Sequence, residues 1–186
     1  MLIGYAMCGS FCTFARSFAV MEQLAQKHEL IPIFSEIAAS ADTRFGSGTE
    51  FVARAEAICG RPVIRTVTEA EPLGPKLPLD ALIVAPMTGN TLAKLAHGIT
   101  DSAVTMACKA HLRADRPLLI ALASNDAMSA NLANIGALLQ RKSVYFVPMK
   151  QDDPASKPHS LVAELSRVPE ALVALTAGKQ LRPLFL

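Results

Sequence analysis

Short polar segments that follow apolar runs carry the residues best suited to chemistry in this chain. The first holds Gly9, Ser10 and Thr13, directly after the apolar run Leu2–Met7. Hydroxyl groups and free backbone N–H groups at the start of a helix suit a phosphate, because that end carries partial positive charge. The segment lacks the glycine and lysine pattern of the common nucleotide loops, so ordinary helix capping by Ser10 or Thr13 is the alternative.

Three further polar segments follow apolar runs. Ser35 ends the second run and suits either a phosphate contact or a simple turn. In residues 85–91 a proline is followed by polar side chains, and Gly89 permits a close backbone approach or a positive φ. In residues 123–131, Asp126 suits either a helix cap or a ligand contact. The candidate cofactor-binding residues of the four segments are Gly9, Ser10, Thr13, Ser35, Pro86, Thr88, Gly89, Asn90, Thr91, Ser124, Asn125, Asp126 and Met128.

Two loop cations, Arg44 and Lys76, are candidates for binding carboxylates. Arg44 lies after the second apolar run, and Lys76 lies in a proline-rich stretch at residues 71–79. Arginine binds a carboxylate as a two-pronged fork, whereas lysine acts as a point charge. From the residues alone, a solvated pair of surface charges is the alternative.

Histidine and cysteine give no sign of a catalytic triad or a metal centre. No histidine follows an apolar run beside a plausible nucleophile, so we assign no catalytic residue from the sequence. Cys8 and Cys12 lack a second pair of ligands, so we expect no metal site and free thiols. The histidines are His28, His97, His111 and His159.

Apolar runs alternate with segments of helical periodicity, which predicts strand–helix–strand units and a parallel sheet. The continuous apolar runs need cover on both faces, so the fold class is α/β, with a three-layer, doubly wound sheet of about six strands. Ligands of such sheets bind at the carboxyl ends of the strands, where the four polar segments would meet. We predict strands at residues 2–7, 29–34, 62–66, 80–85, 117–123 and 144–148, and helices at residues 13–27, 48–59, 88–97, 102–114, 128–141 and 161–177.

The composition suits one domain spanning residues 1–186 and excludes several functional classes. Hydrophobic residues make up 51% of the chain and the net charge is +2, so neither disorder nor nucleic-acid binding is expected. No apolar run approaches the roughly 18 residues that cross a bilayer, and no signal peptide precedes the first strand. We therefore expect a cytoplasmic protein. The surplus of apolar residues predicts a homo-oligomer.

The four polar segments resemble those of the homo-oligomeric flavin-containing cysteine decarboxylase family of flavoproteins. That family has Pro-Ala-Ser-Ala-Asn-Thr in the third segment, and Asn90 and Thr91 keep its end here. The resemblance implies a flavodoxin-like, Rossmann-type fold and FMN, with phosphate contacts from Ser10, Ser35 and Thr88. The histidine with which the family decarboxylates has no counterpart in this sequence.

Within that family the chain resembles a branch whose members work with a second, different protein chain. The resemblance implies that this partner binds a nicotinamide nucleotide such as NADP, and that a small dicarboxylate is oxidised. It also implies trimers or dodecamers. Arg44 and Lys76 would then meet the two carboxylates of the substrate. A non-catalytic stabilising role and a flavin-dependent decarboxylase are the alternatives. The segments that carry this closer resemblance are residues 43–46, 70–80, 88–90, 100–102, 124–127 and 151–154.

Overall fold

The computed structural model describes residues 1–74 and 76–186, and all seven strands within them join one sheet. The order β2-β1-β3-β4 is parallel throughout, and β5 continues it along the first half of β4. β7 pairs antiparallel with the carboxyl end of β4, and β6 pairs antiparallel with β7. The strands are β1 (Leu2–Met7), β2 (Glu29–Phe34), β3 (Ala81–Met87), β4 (Leu118–Ser124), β5 (Val144–Phe146), β6 (Met149–Lys150) and β7 (Leu161–Ala163).

Helices cover both faces of the sheet and bury two hydrophobic clusters. One cluster joins α1, α3 and α8 to strand residues such as Ile83, and the other joins α5, α6 and α7 to Leu82 and Val84. Successive strand residues point to opposite faces, so a sheet covered on both sides needs continuous apolar strands. The helices are α1 (Phe14–Ala25), α2 (Glu36–Ser40), α3 (Gly48–Cys59), α4 (Val67–Ala70), α5 (Gly89–Ala96), α6 (Ala103–Leu112), α7 (Leu132–Leu139) and α8 (Val168–Thr176).

The doubly wound α/β architecture is confirmed, although the sheet is mixed rather than wholly parallel. The strand predicted at residues 62–66 is wrong, because this segment touches β2 only through an isolated bridge between Ile33 and Ile64. Ile64 N–H donates to the Pro32 carbonyl at 2.9 Å. Pro32 itself has no N–H, so it cannot donate the next hydrogen bond of the ladder. The ladder therefore stops after one bridge.

Two predicted helices are shorter than the periodicity indicated. The helix predicted over residues 161–177 begins only at Val168, since Pro169 occupies its first turn, and its first residues form β7 instead. The helix predicted over residues 128–141 spans Leu132–Leu139, because the Asp126 carbonyl accepts the N–H groups of Ser129 and Asn131 in a preceding turn.

The strand order reverses between β1 and β3, which places a crevice at the carboxyl ends of these two strands. The chain passes from β1 to β2 on one side and returns to β3 on the other. Doubly wound sheets bind their ligands at such a switch point. Within the described residues, no helix has both the length and the apolar character needed to cross a membrane.

Candidate functional site

Two adjoining clefts lie at the carboxyl ends of the strands and share Gly9 and Thr88. The β4-side cleft has a volume of about 590 Å³ and is lined by Gly9, Ser10, Phe11, Cys12, Arg44, Phe45, Thr88, Gly89, Ala123, Ser124, Asn125, Asp126, Asp152, Lys157 and Val162. The β2-side cleft has a volume of about 450 Å³ and is lined by Cys8, Gly9, Ser35, Glu36, Ile37, Ser40, Thr88, Asn90, Thr91, Lys94, Asp101 and Ser102. Each volume lies in the range of roughly 300–1,000 Å³ that small-molecule sites occupy.

The segment after β1 forms the ridge between the two clefts. Cys8 N–H donates to the Pro86 carbonyl at 3.0 Å, which ties the segment to the end of β3. Ser10 lines the β4-side cleft with a hydroxyl that caps no helix, and within the described residues its one side-chain hydrogen-bond contact is a long one, with Cys12 Sγ at 3.9 Å. The ridge thus presents a hydroxyl free to bind a ligand.

Helix N-caps define the chemistry of the β2-side cleft. Ser35, Thr88 and Ser102 are the N-caps of α2, α5 and α6, and each side chain accepts a hydrogen bond from a backbone N–H of its own helix. Helix N-termini that border one cleft each contribute a partial positive charge to it. The Ser35 hydroxyl accepts from Ala38 N–H at 3.3 Å and, within the described chain, donates to no acceptor. Its hydrogen therefore remains available to an anion.

Charged side chains of the β2-side cleft are mostly paired. Lys94 Nζ lies 2.6 Å from Asp101 Oδ2, which neutralises both groups. Glu36 also lines this cleft and forms no ion pair with the described residues. Cys8 lies beneath Thr88 and Thr91 and is 1% exposed; burial raises the pKa of its thiol to about 11. The thiol is therefore not a nucleophile at neutral pH.

Gly89 allows the start of α5 to pack tightly against the segment after β4. A Cβ atom at Gly89 would collide with Ser124 Oγ, and it would lie 2.6 Å from Asn131 Nδ2 and 2.7 Å from Asp126 Oδ1. Its role is thus close approach rather than positive φ.

Asp126 does not cap a helix, and its carboxylate is already hydrogen-bonded. Ser124 Oγ donates to one carboxylate oxygen and Asn131 Nδ2 donates to the other at 2.9 Å. The Ser124 hydrogen bond, followed by that of Asn131, holds the pKa of Asp126 below its usual range.

A tight turn displays Arg44 and Phe45 at the rim of the β4-side cleft. Thr43 N–H donates to the Gly46 carbonyl at 3.0 Å, and Gly46 N–H donates back to the Thr43 carbonyl at 3.1 Å. The Arg44 guanidinium lies over the Phe45 ring, 4.9 Å from its centroid. Among the described carboxylates, none forms an ion pair with Arg44.

The loop between β6 and β7 closes the β4-side cleft with residues that the sequence did not mark as site residues. Lys157 Nζ lies 2.6 Å from Asp152 Oδ2, and both side chains line the cleft. This hydrogen bond raises the pKa of Lys157. Phe11, Cys12, Phe45, Ala123 and Val162 complete the new lining residues of this cleft. The sequence feature that pointed to this loop was the similarity of residues 151–154 to the flavoprotein branch.

Ten of the thirteen candidate cofactor residues are brought to the clefts, where their side chains or backbone line the walls. One of the ten, Asp126, is already hydrogen-bonded to its neighbours. The other three do not line the clefts. Thr13 is buried and donates to the Ser10 carbonyl at 2.8 Å. Pro86 is buried in β3, and Met128 packs against the cluster of α5, α6 and α7.

Lys76 also lies away from the clefts, so the structure does not place it beside Arg44. It sits in the loop before β3, four residues from Asp80, whose N–H donates to the Leu2 carbonyl at 2.8 Å. Leu2 is the first residue of β1, at the amino ends of the strands. A six-residue strand spans about 20 Å, so a lysine at its amino end does not reach the opposite edge.

In the described part of the chain, no histidine lines either cleft, so no serine or cysteine there is paired with an imidazole base. The site offers hydroxyl and amide groups, two aromatic rings, an arginine and a lysine. Such a set binds and orients a polar aromatic molecule with anionic groups, and the hard chemistry would come from a cofactor.

Comparisons with known proteins agree with this description. The family model described as Flavoprotein matches residues 2–164, so the chain belongs to that family. The chain is also 40% identical over 183 residues to the B subunit of dipicolinate synthase from Bacillus subtilis (strain 168), an alignment that covers 98% of this chain and 92% of the relative. The family resemblance predicted from the sequence is thereby confirmed.

Solved structures show the same fold. The crystal structure of the dipicolinate synthase B subunit from Bacillus halodurans matches with a TM-score of 0.91 and 37% identity, covering 100% of this chain and 95% of that one. The FMN-dependent cysteine decarboxylase SpaF matches with a TM-score of 0.71 over 96% of this chain and 97% of that chain. At 21% identity, SpaF supports the fold alone.

Proposed function

We propose that this chain is the flavin-nucleotide-binding B subunit of a dipicolinate synthase. With an A subunit, it would oxidise a dihydrodipicolinate-type precursor to pyridine-2,6-dicarboxylate during sporulation, in the cytoplasm of a spore-forming bacterium. The observation that carries the proposal is the pair of adjoining clefts at the β1–β3 switch point, one lined by helix N-caps and the other by aromatic, amide and cationic side chains.

The residues present fit a flavin mononucleotide. Its phosphate needs hydrogen-bond donors at positive helix ends, and the N-caps Ser35, Thr88 and Ser102 all line the β2-side cleft. The sugar chain and ring need donors and acceptors beside apolar surface. Ser10 and Asn125 of the β4-side cleft supply them, with Phe11 and Phe45 alongside.

The reaction needs no side-chain nucleophile, which agrees with the absence of histidine from both clefts in the described chain. Aromatisation of the precursor removes two electrons and two protons, and a bound flavin supplies a two-electron acceptor. The protein's own residues would bind the dicarboxylate, orient it and exclude water. A nicotinamide nucleotide such as NADP would belong to the partner protein.

The same proposal includes self-association. Ile37 lines the β2-side cleft and is 56% exposed, and Leu132 and Val173 are 52% and 71% exposed. Burial of such side chains against a second copy is favourable, because apolar surface leaves water. We therefore propose a homo-oligomer, with one domain per chain.

The test combines a spectrum with a reconstitution. Purified protein mixed with FMN and then desalted should retain flavin absorbance. When the A subunit, its nicotinamide nucleotide and the precursor are added, flavin-loaded protein should form dipicolinate faster than flavin-free protein. Protein that stays colourless yet activates the A subunit fully would show the non-catalytic stabilising role instead. Release of carbon dioxide from a peptidyl cysteine would show the decarboxylase role.

A further inference from the structure

The β4-side cleft contains two cations in different states. Arg44 stacks on Phe45 and pairs with no described carboxylate, whereas Lys157 is held by Asp152 at 2.6 Å. The two residues come from distant parts of the chain, one from the turn after α2 and the other from the loop between β6 and β7. Both nevertheless line one cleft.

Local hydrogen bonds hold both cations in place. The Arg44 turn is closed by the paired backbone bonds between Thr43 and Gly46. Lys157 N–H donates to the Asp153 carbonyl at 2.7 Å, and Ser156 N–H donates to the Asp153 carboxylate at 3.1 Å. Cations held on fixed backbone lose less freedom on binding an anion than cations on a mobile loop.

We propose that Arg44 and Lys157 bind the two carboxylates of the substrate, and that Asp152 holds the place of one of them until the substrate arrives. This rests on the proposed function, since a dicarboxylate substrate is part of it. Lys157 thereby takes the role that was expected of Lys76. The substrate exchanges one carboxylate partner of Lys157 for another, so this cation is paired both before and after binding.

Because Asp152 and the substrate compete for Lys157, substitutions of Lys157 and Asp152 should change the dicarboxylate affinity in opposite directions. Lys157→Gln removes a cation and should weaken binding of pyridine-2,6-dicarboxylate about tenfold, the usual value of one charged hydrogen bond. Asp152→Asn removes the competing carboxylate and should strengthen the same binding several-fold. If the ion pair were merely structural, neither variant would gain affinity for the dicarboxylate.

Lys150→Gln is the matched control. Lys150 pairs with Glu164 at 2.7 Å in the same β6–β7 region, but it does not line the β4-side cleft. Its loss should leave dicarboxylate binding unchanged. Arg44→Gln should weaken binding by about the same factor as Lys157→Gln.

The experiment is calorimetric titration of FMN-loaded protein with pyridine-2,6-dicarboxylate and with pyridine-2-carboxylate. We expect the wild type to prefer the dicarboxylate, and this preference to shrink in Lys157→Gln and grow in Asp152→Asn. Unchanged dicarboxylate affinity in both variants, with FMN still bound, would overturn this inference and leave the proposed function standing. Weaker FMN binding with unchanged dicarboxylate binding would assign these cations to the flavin phosphate and also overturn it. A wild type that binds no FMN would instead contradict the proposed function.

Discussion

The two clefts on either side of Gly9 and Thr88 use similar residue types in different ways. In the β2-side cleft the hydroxyls of Ser35, Thr88 and Ser102 each cap a helix, so they serve stability and present a fixed positive end. In the β4-side cleft Ser10 caps nothing and Arg44 has no described carboxylate partner. Groups already used by the fold suit the phosphate, a constant part of the ligand. Uncommitted groups suit the flavin ring, in the case of Ser10, and a substrate that comes and goes, in the case of Arg44.

The largest difference between the clefts should appear in cysteine reactivity. Cys8 borders the β2-side cleft but is buried with a pKa raised to about 11, whereas Cys12 is exposed in the β4-side cleft. We expect iodoacetamide to modify Cys12 at least about a hundredfold faster than Cys8 at pH 7.5, because the thiolate is the nucleophile. Peptide mass spectrometry measures both rates. FMN should protect Cys12, and equal rates would contradict the burial of Cys8.

Gly89→Ala should damage the β4-side cleft more than any other small substitution. The new methyl group would collide with Ser124, Asp126 and Asn131, so α5 or the segment after β4 must shift. We expect a loss of about 1–3 kcal/mol in the free energy of unfolding and at least tenfold weaker FMN binding. Gly136→Ala is the control: beyond its chain neighbours and its own helix backbone, no described atom lies within 4 Å of its Cβ position, and the helix should gain stability. Equal effects in the two variants would refute the packing role.

A pair of serine substitutions compares a hydroxyl that caps a helix with one that does not. Ser102→Ala removes the cap of α6 and should cost about 1 kcal/mol of unfolding free energy. Ser10→Ala removes no cap, so it should leave stability within about 0.5 kcal/mol and weaken flavin binding. Urea unfolding and flavin titration measure the two quantities. A stability loss confined to Ser10→Ala would reverse the comparison.

Asp126→Asn should have the smallest effect, and one that depends on pH. The folded-state pKa of Asp126 is lowered by Ser124 and Asn131, so its contribution is complete above the unfolded-state value of about 3.9 and is lost as pH falls through the folded value. We expect the variant to be about 1 kcal/mol less stable at pH 7, since solvent screens the partly exposed group. The difference should shrink as pH falls from about 3.9 through the lowered folded-state pKa. A difference that grows on acidification would contradict this.

The elements that frame the ridge were predictable because each has a strong local signal. The runs of β1, β3 and β4 are continuously apolar, and polar residues follow each of them directly. In a parallel sheet such residues share one edge, so the association of Ser10, Thr88 and Asn125 followed from the pattern. The same rule excludes Lys76, which precedes β3 and therefore lies at the other edge.

The β6–β7 hairpin could not be predicted from local pattern. Its strands have two and three residues, too few for a period to appear, and they form only by pairing with each other and with β4. There was therefore no reason in the sequence to assign Lys157, a loop residue, to a binding site. Pro169 was the overlooked local signal, because proline favours the first turn of a helix and so marks where α8 begins.

The relative affinity of the purified protein for FMN and riboflavin tests the central claim most directly. The two ligands differ only in the phosphate, which we assign to the helix N-caps of the β2-side cleft. Fluorescence titration should give a Kd for FMN at least about tenfold below that for riboflavin, the value of one good charged hydrogen bond. Equal Kd values, or no binding of either flavin, would contradict this account of the site.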